Sequence, residues 1–244
     1  MADRVYFGAF GGAIASDSTR ITQTGTVFFP DIDGGPMDVN AQGDSNSTAS
    51  AFGGVQFGYE WTQYPFITGF SDWIVTPTLE IEGYWYNHTK KGHLINPTDR
   101  IPEHDFASSF PMDVAVDLLN GVLTMRSAFG RVAPYIAGGI GAARLRIRNA
   151  VSLQTSPPEP DINHFNSKPK NATWAFAAQI KAGLNYYVYD RVHLFAEYRC
   201  LYIDSSAYKL GPTDYPDHAA TSSWKIHMKN IYYNAFALGV QFDL

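Results

Sequence analysis

The amino-acid sequence predicts an all-β protein, an eight-stranded antiparallel up-and-down transmembrane β-barrel. Three observations carry that prediction. The last nine residues, Phe236-Ala-Leu-Gly-Val-Gln-Phe-Asp-Leu244, alternate without a break, with Phe236, Leu238, Val240, Phe242 and Leu244 on one side. Side chains alternate faces along a strand, so one wall of this segment is wholly apolar and needs cover. The pattern recurs along the chain, although no run of about 18 apolar residues exists to form a membrane helix. Finally, the connections between the strand-like segments alternate between long and short.

Composition agrees with this reading. The 244 residues are 45% hydrophobic, 15% aromatic and only 17% charged. The mean hydropathy of -0.18 alone would suggest a soluble domain, but strands with a single apolar face give only a weak hydropathy signal. A net charge of -5 argues against nucleic-acid binding, and one cysteine, Cys200, excludes an internal disulfide framework. Met1-Ala2-Asp3 runs straight into a strand-like segment, so a mature chain with an added initiator methionine is expected.

The strand-like segments, in order, are Arg4–Ala15, Ala51–Trp61, Val75–Tyr86, Met112–Met125, Val132–Arg148, Thr173–Tyr189, Val192–Ile203 and Ile231–Leu244. Most reach the roughly 9–11 residues that a tilted strand needs to cross a bilayer. In the second, Val55, Phe57, Tyr59 and Trp61 oppose Gly54, Gln56, Gly58 and Glu60. In the sixth, Trp174, Phe176, Ile180 and Leu184 oppose Gln179, Lys181 and Asn185. In the seventh, Leu194, Tyr198, Cys200 and Tyr202 oppose His193, Glu197 and Arg199. A face carrying Gln, Lys, Glu and Arg is too polar for a dry core, so the apolar face is expected outward. The first, fourth and fifth segments are apolar or glycine-rich on both faces, and their register stays open.

Long connections fall at about 16–50, 87–111, 149–172 and 204–230; the others are about 62–74, Ser127–Arg131 and Asp190-Arg191. Long loops on one side and tight turns on the other suit a barrel of the bacterial outer membrane. An even strand count places both termini on the short-turn, periplasmic side. Even-numbered residues face outward on both strands flanking Asp190-Arg191, which a plain two-residue hairpin does not allow. A bulge or a three-residue loop is therefore expected there.

Several stretches together resemble a known family: Ala51-Phe-Gly-Gly-Val-Gln-Phe-Gly-Tyr59, Ala133-Pro-Tyr-Ile-Ala-Gly-Gly-Ile-Gly141, Gln179-Ile-Lys-Ala-Gly183, Glu197-Tyr-Arg199 and the terminal strand. The chain is similar to the eight-stranded outer-membrane barrels that include the OmpA membrane domain, opacity-type proteins and porin-family surface antigens of Gram-negative bacteria. The likeness covers most strands and none of the long loops. It implies a surface antigen or adhesin, with a terminal strand read by the barrel-assembly machinery. Family members usually end in an aromatic residue, whereas this chain ends in Leu244.

The candidate functional residues follow from the faces. Glu60, Glu80, Glu82 and Glu197 are expected to share the lumen with Gln179, Lys181, Arg199, Arg144 and Arg146. A barrel of eight strands is narrow enough for side chains to fill it, so interlocked ion pairs are expected. A narrow polar conduit is the alternative. Alternation with Leu145 and Ile147 turns Arg144, Arg146 and Arg148 inward at the outer rim; a bulge would instead offer them to lipopolysaccharide phosphates. Trp61, Trp73, Tyr135, Tyr186 and Phe242 are expected at the periplasmic interface, and Trp85, Trp174 and Tyr202 at the outer one, as girdle anchors.

Catalytic, metal and cofactor sites are not expected. His88, His93 and His104 lack ligand spacing, and Asp31-Ile-Asp-Gly-Gly35 lacks the later ligands of a calcium loop. No Ser or Asp constellation with His has recognisable spacing. The expected function is non-enzymatic: a single-domain outer-membrane scaffold whose loops mediate adhesion, foremost 16–50 and 87–111. The expected partners are outer-membrane lipid and lipopolysaccharide, the assembly machinery, and a host or extracellular ligand. The alternative is a small porin-like channel.

Overall fold

In a computed structural model, the protein is described over residues 3–63, 66–67, 73–98, 104–127 and 130–244. The chain rises in β1 (Arg4–Ser16), folds outside the barrel into β2 (Arg20–Val27) and β3 (Met37–Asp44), and returns in β4 (Thr48–Glu60). After the short β5 (Phe66–Ile67) come β6 (Trp73–Asn96) and β7 (His104–Ser127), each of 24 residues. Next are β8 (Val132–Ile147), β9 (Val151–Ser156), β10 (Asn171–Tyr189) and β11 (Val192–Ile203). The short β12 (Ser206–Lys209) and β13 (Lys225–Met228) precede β14 (Ile231–Asp243).

Eight of these strands close a ring of antiparallel neighbours: β1, β4, β6, β7, β8, β10, β11 and β14. The last strand seals the barrel against the first, from Tyr6 opposite Asp243 to Ser16 opposite Tyr233. A register shift between Tyr187 and Tyr189 resolves the parity conflict at Asp190-Arg191. It lets Tyr186 and Tyr189 both point outward across the turn.

The long connections are folded rather than irregular. β6 and β7 pair continuously from Trp73–Ser127 to Asn96–His104, well beyond the roughly 9–11 residues needed to cross a membrane. The expected loop at 87–111 is therefore mostly a hairpin that prolongs the barrel wall, apart from the residues at its tip that lie outside the described ones. β3 joins the top of β6, β2 pairs with β3 and β13, β13 with β12, and β9 with the top of β7. This cap, at the end of the barrel away from both termini, encloses an apolar core that includes Ile21, Val39, Leu94, Phe106, Phe110, Phe165, Trp224 and Ile226. Gly25 makes room for it, since a Cβ there would lie 2.6 Å from the Trp224 ring.

β8 corrects two expectations. Its odd-numbered residues face inward, with Ala133, Tyr135, Ala143, Leu145 and Ile147 buried and Ile136 and Ile140 exposed. Arg144 and Arg146 consequently point outward, away from the lumen. The reason is the cap: its core takes in Leu145 and Ile147, so the interior near the outer rim is apolar where a polar lumen was expected. By the same parity Tyr135 is not a girdle residue but a buried one. Its ring lies over Gly183, where a Cβ would come within 2.6 Å of it.

Candidate functional site

The lumen is filled in layers. At the short-turn end, Glu60 pairs with Arg4 at 2.9 Å and with Arg126 at 2.6 Å, and accepts a hydrogen bond from Thr76 Oγ1. Asp243 lies 3.2 Å from Arg4 and 3.4 Å from His193. Above these, Lys181 Nζ meets Glu80 at 2.7 Å, Glu82 at 2.6 Å and Glu197 at 3.7 Å. The Arg199 guanidinium bridges Glu82 and Glu197. Neutral donors complete the shell: Tyr6 to Glu80 and Tyr135 to Glu197, both at 2.6 Å, and Gln179 to Glu82 at 3.2 Å. Asn120 donates to Glu80 at 3.1 Å and accepts from Gln179 at 2.9 Å.

Over this layer sits an aromatic one. Arg199 lies 4.1 Å from the Phe10 ring centroid, and Phe52, Tyr84 and Phe195 pack around Phe10 at 6.0 to 6.3 Å. The space between the two ionic layers is a cavity of about 10 Å³, on the scale of one water. Buried charges need paired and hydrogen-bonded surroundings, and this arrangement provides them in a protein interior shielded from lipid.

A second constellation lies in the cap. Glu159 and His164, from the connection after β9, meet His218 from the connection between β12 and β13. Each Nε2 approaches Glu159 Oε2 at 3.4 Å. Contact with His164, then with His218, holds the Glu159 carboxyl down at about 2, and contact with Glu159 raises His218. His164 is wedged against Phe106 and Trp224, with ring centroids at 5.2 and 6.0 Å. The three side chains line a cavity of about 250 Å³ together with His104, Gln154 and Asp217.

Outside, the lower ring carries a continuous apolar belt. Ile180 is 66% exposed, Ile81 62%, Ile140 62% and Leu238 57%, exposure that water would penalise and lipid rewards. The outer edge of the belt is one row across four strands: Trp85, Ala115, Arg144 and Trp174 are consecutive partners. Above Trp85 the outward positions turn polar, beginning with Asn87. This is a transmembrane β-barrel.

Trp73, Tyr186 and Phe242 lie exposed at the barrel's other end, with Trp61 half-buried against the Tyr59 ring at 5.1 Å. Tyr202 packs on Tyr232 at 5.3 Å and donates to Asp204. Phe236, Leu238 and Phe242 face outward on β14, with Val240 half-buried among them and Leu244 exposed beyond the strand.

No protein-family model matches the chain, and no curated protein sequence matches it. Solved structures similar to it include the outer membrane protease OmpT from Escherichia coli, with a TM-score of 0.46 and 9% identity over 99% of this chain and 97% of that one. Neisserial surface protein A is similar with a TM-score of 0.45 and 11% identity, over 99% of each chain. The outer membrane protein OprG from Pseudomonas aeruginosa is similar with a TM-score of 0.46 and 12% identity, over 97% of this chain and 95% of that one.

Within the barrel, Glu60, Glu80, Glu82, Gln179, Lys181, Glu197 and Arg199 come together inside, while Arg144 and Arg146 do not. The cations that take their place are Arg4 and Arg126, which sequence reasoning missed. Parity could have found them: Arg4 shares the inward face with Tyr6, and Arg126 with Asn120 and Thr124. The cap trio had no such signal, since His164 and His218 lie 54 positions apart, outside any strand, after β9 and between β12 and β13.

Proposed function

We propose that this protein is a non-enzymatic surface protein of the bacterial outer membrane, with its barrel anchoring a rigid, outward β-cap that supplies a contact surface. The observation that carries the reading is the contrast between the two halves. The lumen is occupied by ion pairs and aromatic rings, whereas the cap exposes side chains at its tip. There Ile32, on the short 3-10 turn between β2 and β3, is 93% exposed, and Phe28, in the stretch leading into that turn, is 48% exposed. Asp31 and Asp33 flank Ile32, so the tip combines an apolar contact with negative charge.

Both termini lie at the end opposite the cap, which supports a periplasmic placement for them. The outward column Arg144 and Arg146, level with Trp85 and Trp174, suits phosphate groups of lipopolysaccharide, which guanidinium forks bind. The alternating β14 is the segment we assign to recognition by the assembly machinery. The partner of the tip is a host or extracellular ligand with an apolar, positively charged face.

Planar-bilayer recording tests the scaffold reading against a solute pore. A scaffold gives no reproducible conductance, and Lys181→Met leaves that unchanged. A steady conductance that Lys181→Met alters would favour the pore.

A further inference from the structure

We propose that Glu159, His164 and His218 form a site for one divalent transition-metal ion of the zinc class, taken up from outside and joining two separate connections of the cap. The donor set is two imidazoles and a carboxylate, a combination that zinc sites use with a fourth position left open. The spacing fits. Metal–ligand bonds of about 2.0–2.1 Å in a tetrahedron place neighbouring donor atoms about 3.3–3.4 Å apart. Both His Nε2 atoms stand 3.4 Å from Glu159 Oε2.

The hydrogen bonds of the two rings give the stronger argument. His164 Nδ1 lies 3.0 Å from the Ser152 carbonyl, and His218 Nδ1 lies 2.6 Å from the Ala219 carbonyl. A carbonyl only accepts, so each Nδ1 carries the proton. In a neutral ring Nε2 is then left with its lone pair, and both lone pairs converge on a carboxylate oxygen. Three acceptors facing one another repel unless a cation sits among them, either a proton that the Glu159 carboxylate favours on His218 Nε2 or a metal ion bound in its place. Glu159 Oε2 is itself shielded from solvent and faces both imidazole nitrogens. Tying the far ring nitrogen to a backbone carbonyl is also how metal-bound histidines are held in tautomer and orientation.

The surroundings supply rigidity and room. Phe106 and Trp224 fix the His164 ring, and the 250 Å³ cavity leaves space for a water or an external ligand at the fourth position. His104 lines the same cavity with a buried Nδ1 that has no partner. Glu159 remains 35% exposed, which gives an ion a way in. Because Glu159 and His164 precede β10 while His218 precedes β13, an ion here ties together chain segments that the sheet alone does not join.

The test is titration of the untagged full chain, folded in detergent and freed of metal, with Zn²⁺ by calorimetry. One equivalent is expected to bind. Glu159→Gln and His218→Asn alter only partly exposed side chains of the cap and are expected to keep the gel mobility of the folded barrel while weakening binding about 100-fold or more, beyond the 10–100-fold typical of outer-shell losses. His93→Asn, elsewhere on the cap, is expected to bind as the parent does. Zn²⁺ should also slow protease cleavage within residues 149–172 and 204–230. Absence of saturable binding by the parent chain, or parent-like binding by both Glu159→Gln and His218→Asn, would overturn the site.

Discussion

Tyr135 donates its hydroxyl to Glu197 Oε2 at 2.6 Å, across the barrel interior from β8 to β11. A tyrosine that sequence alternation assigns to the lipid interface thus belongs to the charged layer. A hydrogen bond to a charged, buried acceptor contributes about 1.5–3 kcal/mol. Tyr135→Phe is expected to lower the unfolding free energy in detergent by that amount. Tyr186→Phe, on the lipid side, should stay within about 0.5 kcal/mol. Urea titrations of both variants decide it; equal shifts would remove Tyr135 from the network.

The outward belt makes a second prediction. Ile180→Arg puts a guanidinium against hydrocarbon and should cost about 2–4 kcal/mol in lipid vesicles. Ile32→Arg, at the cap tip, should leave stability within about 0.5 kcal/mol. The comparison uses one substitution type, so side-chain size cannot explain a difference.

The cap has its own core, and Gly25 is its weak point. An alanine there brings a Cβ to 2.6 Å from the Trp224 ring, and overpacking of this kind costs about 1–3 kcal/mol. Gly25→Ala is expected to reduce the near-ultraviolet signal of Trp224 and expose the cap to proteases. The gel mobility of the barrel should not change.

His88 contributes a pH dependence. It lies above the membrane belt, stacked on Tyr86 at 5.8 Å and against Tyr233 at 5.9 Å, with both ring nitrogens buried and unpartnered. Burial, and then the nearby Lys90 charge, lower its pKa from 6.5 to about 4. Between those values the unfolded chain binds the proton and the folded one does not, so stability is full above pH 6.5 and falls as pH drops toward 4. The loss amounts to roughly 3 kcal/mol at most. Denaturation followed across that range should show it, and His88→Phe should reduce the slope.

The faces of β4, β10, β11 and β14 were legible because each sets large apolar residues against polar or small ones. Lys181 and Glu197 could be placed inside from that contrast alone. β8 was not legible: Ala133 to Gly141 is small or apolar on both sides, and Arg144 and Arg146 took their inward assignment from alternation with Leu145 and Ile147, which a lipid-facing row would equally explain. What decides β8 is the cap core above it, which is assembled from distant segments such as Ile21, Phe165 and Trp224. For the same reason the extent of β6 and β7 was hidden. Their upper halves mix Lys90, Lys91 and His93 with Leu94 and Phe106, a composition that reads as loop until β3 and β9 are seen to pair with them. Long-range pairing, not local propensity, makes those residues strands.

Two tryptophans test the central division between membrane barrel and outer cap. Trp174 is 61% exposed on the lipid side at the cap-side edge of the belt, whereas Trp224 is fully buried in the cap core. Variants keeping only one of them, reconstituted in vesicles of brominated lipid, report contact with acyl chains by fluorescence quenching. The account predicts strong quenching of Trp174 and none of Trp224. Equal quenching of the two, or no quenching of Trp174, would contradict it.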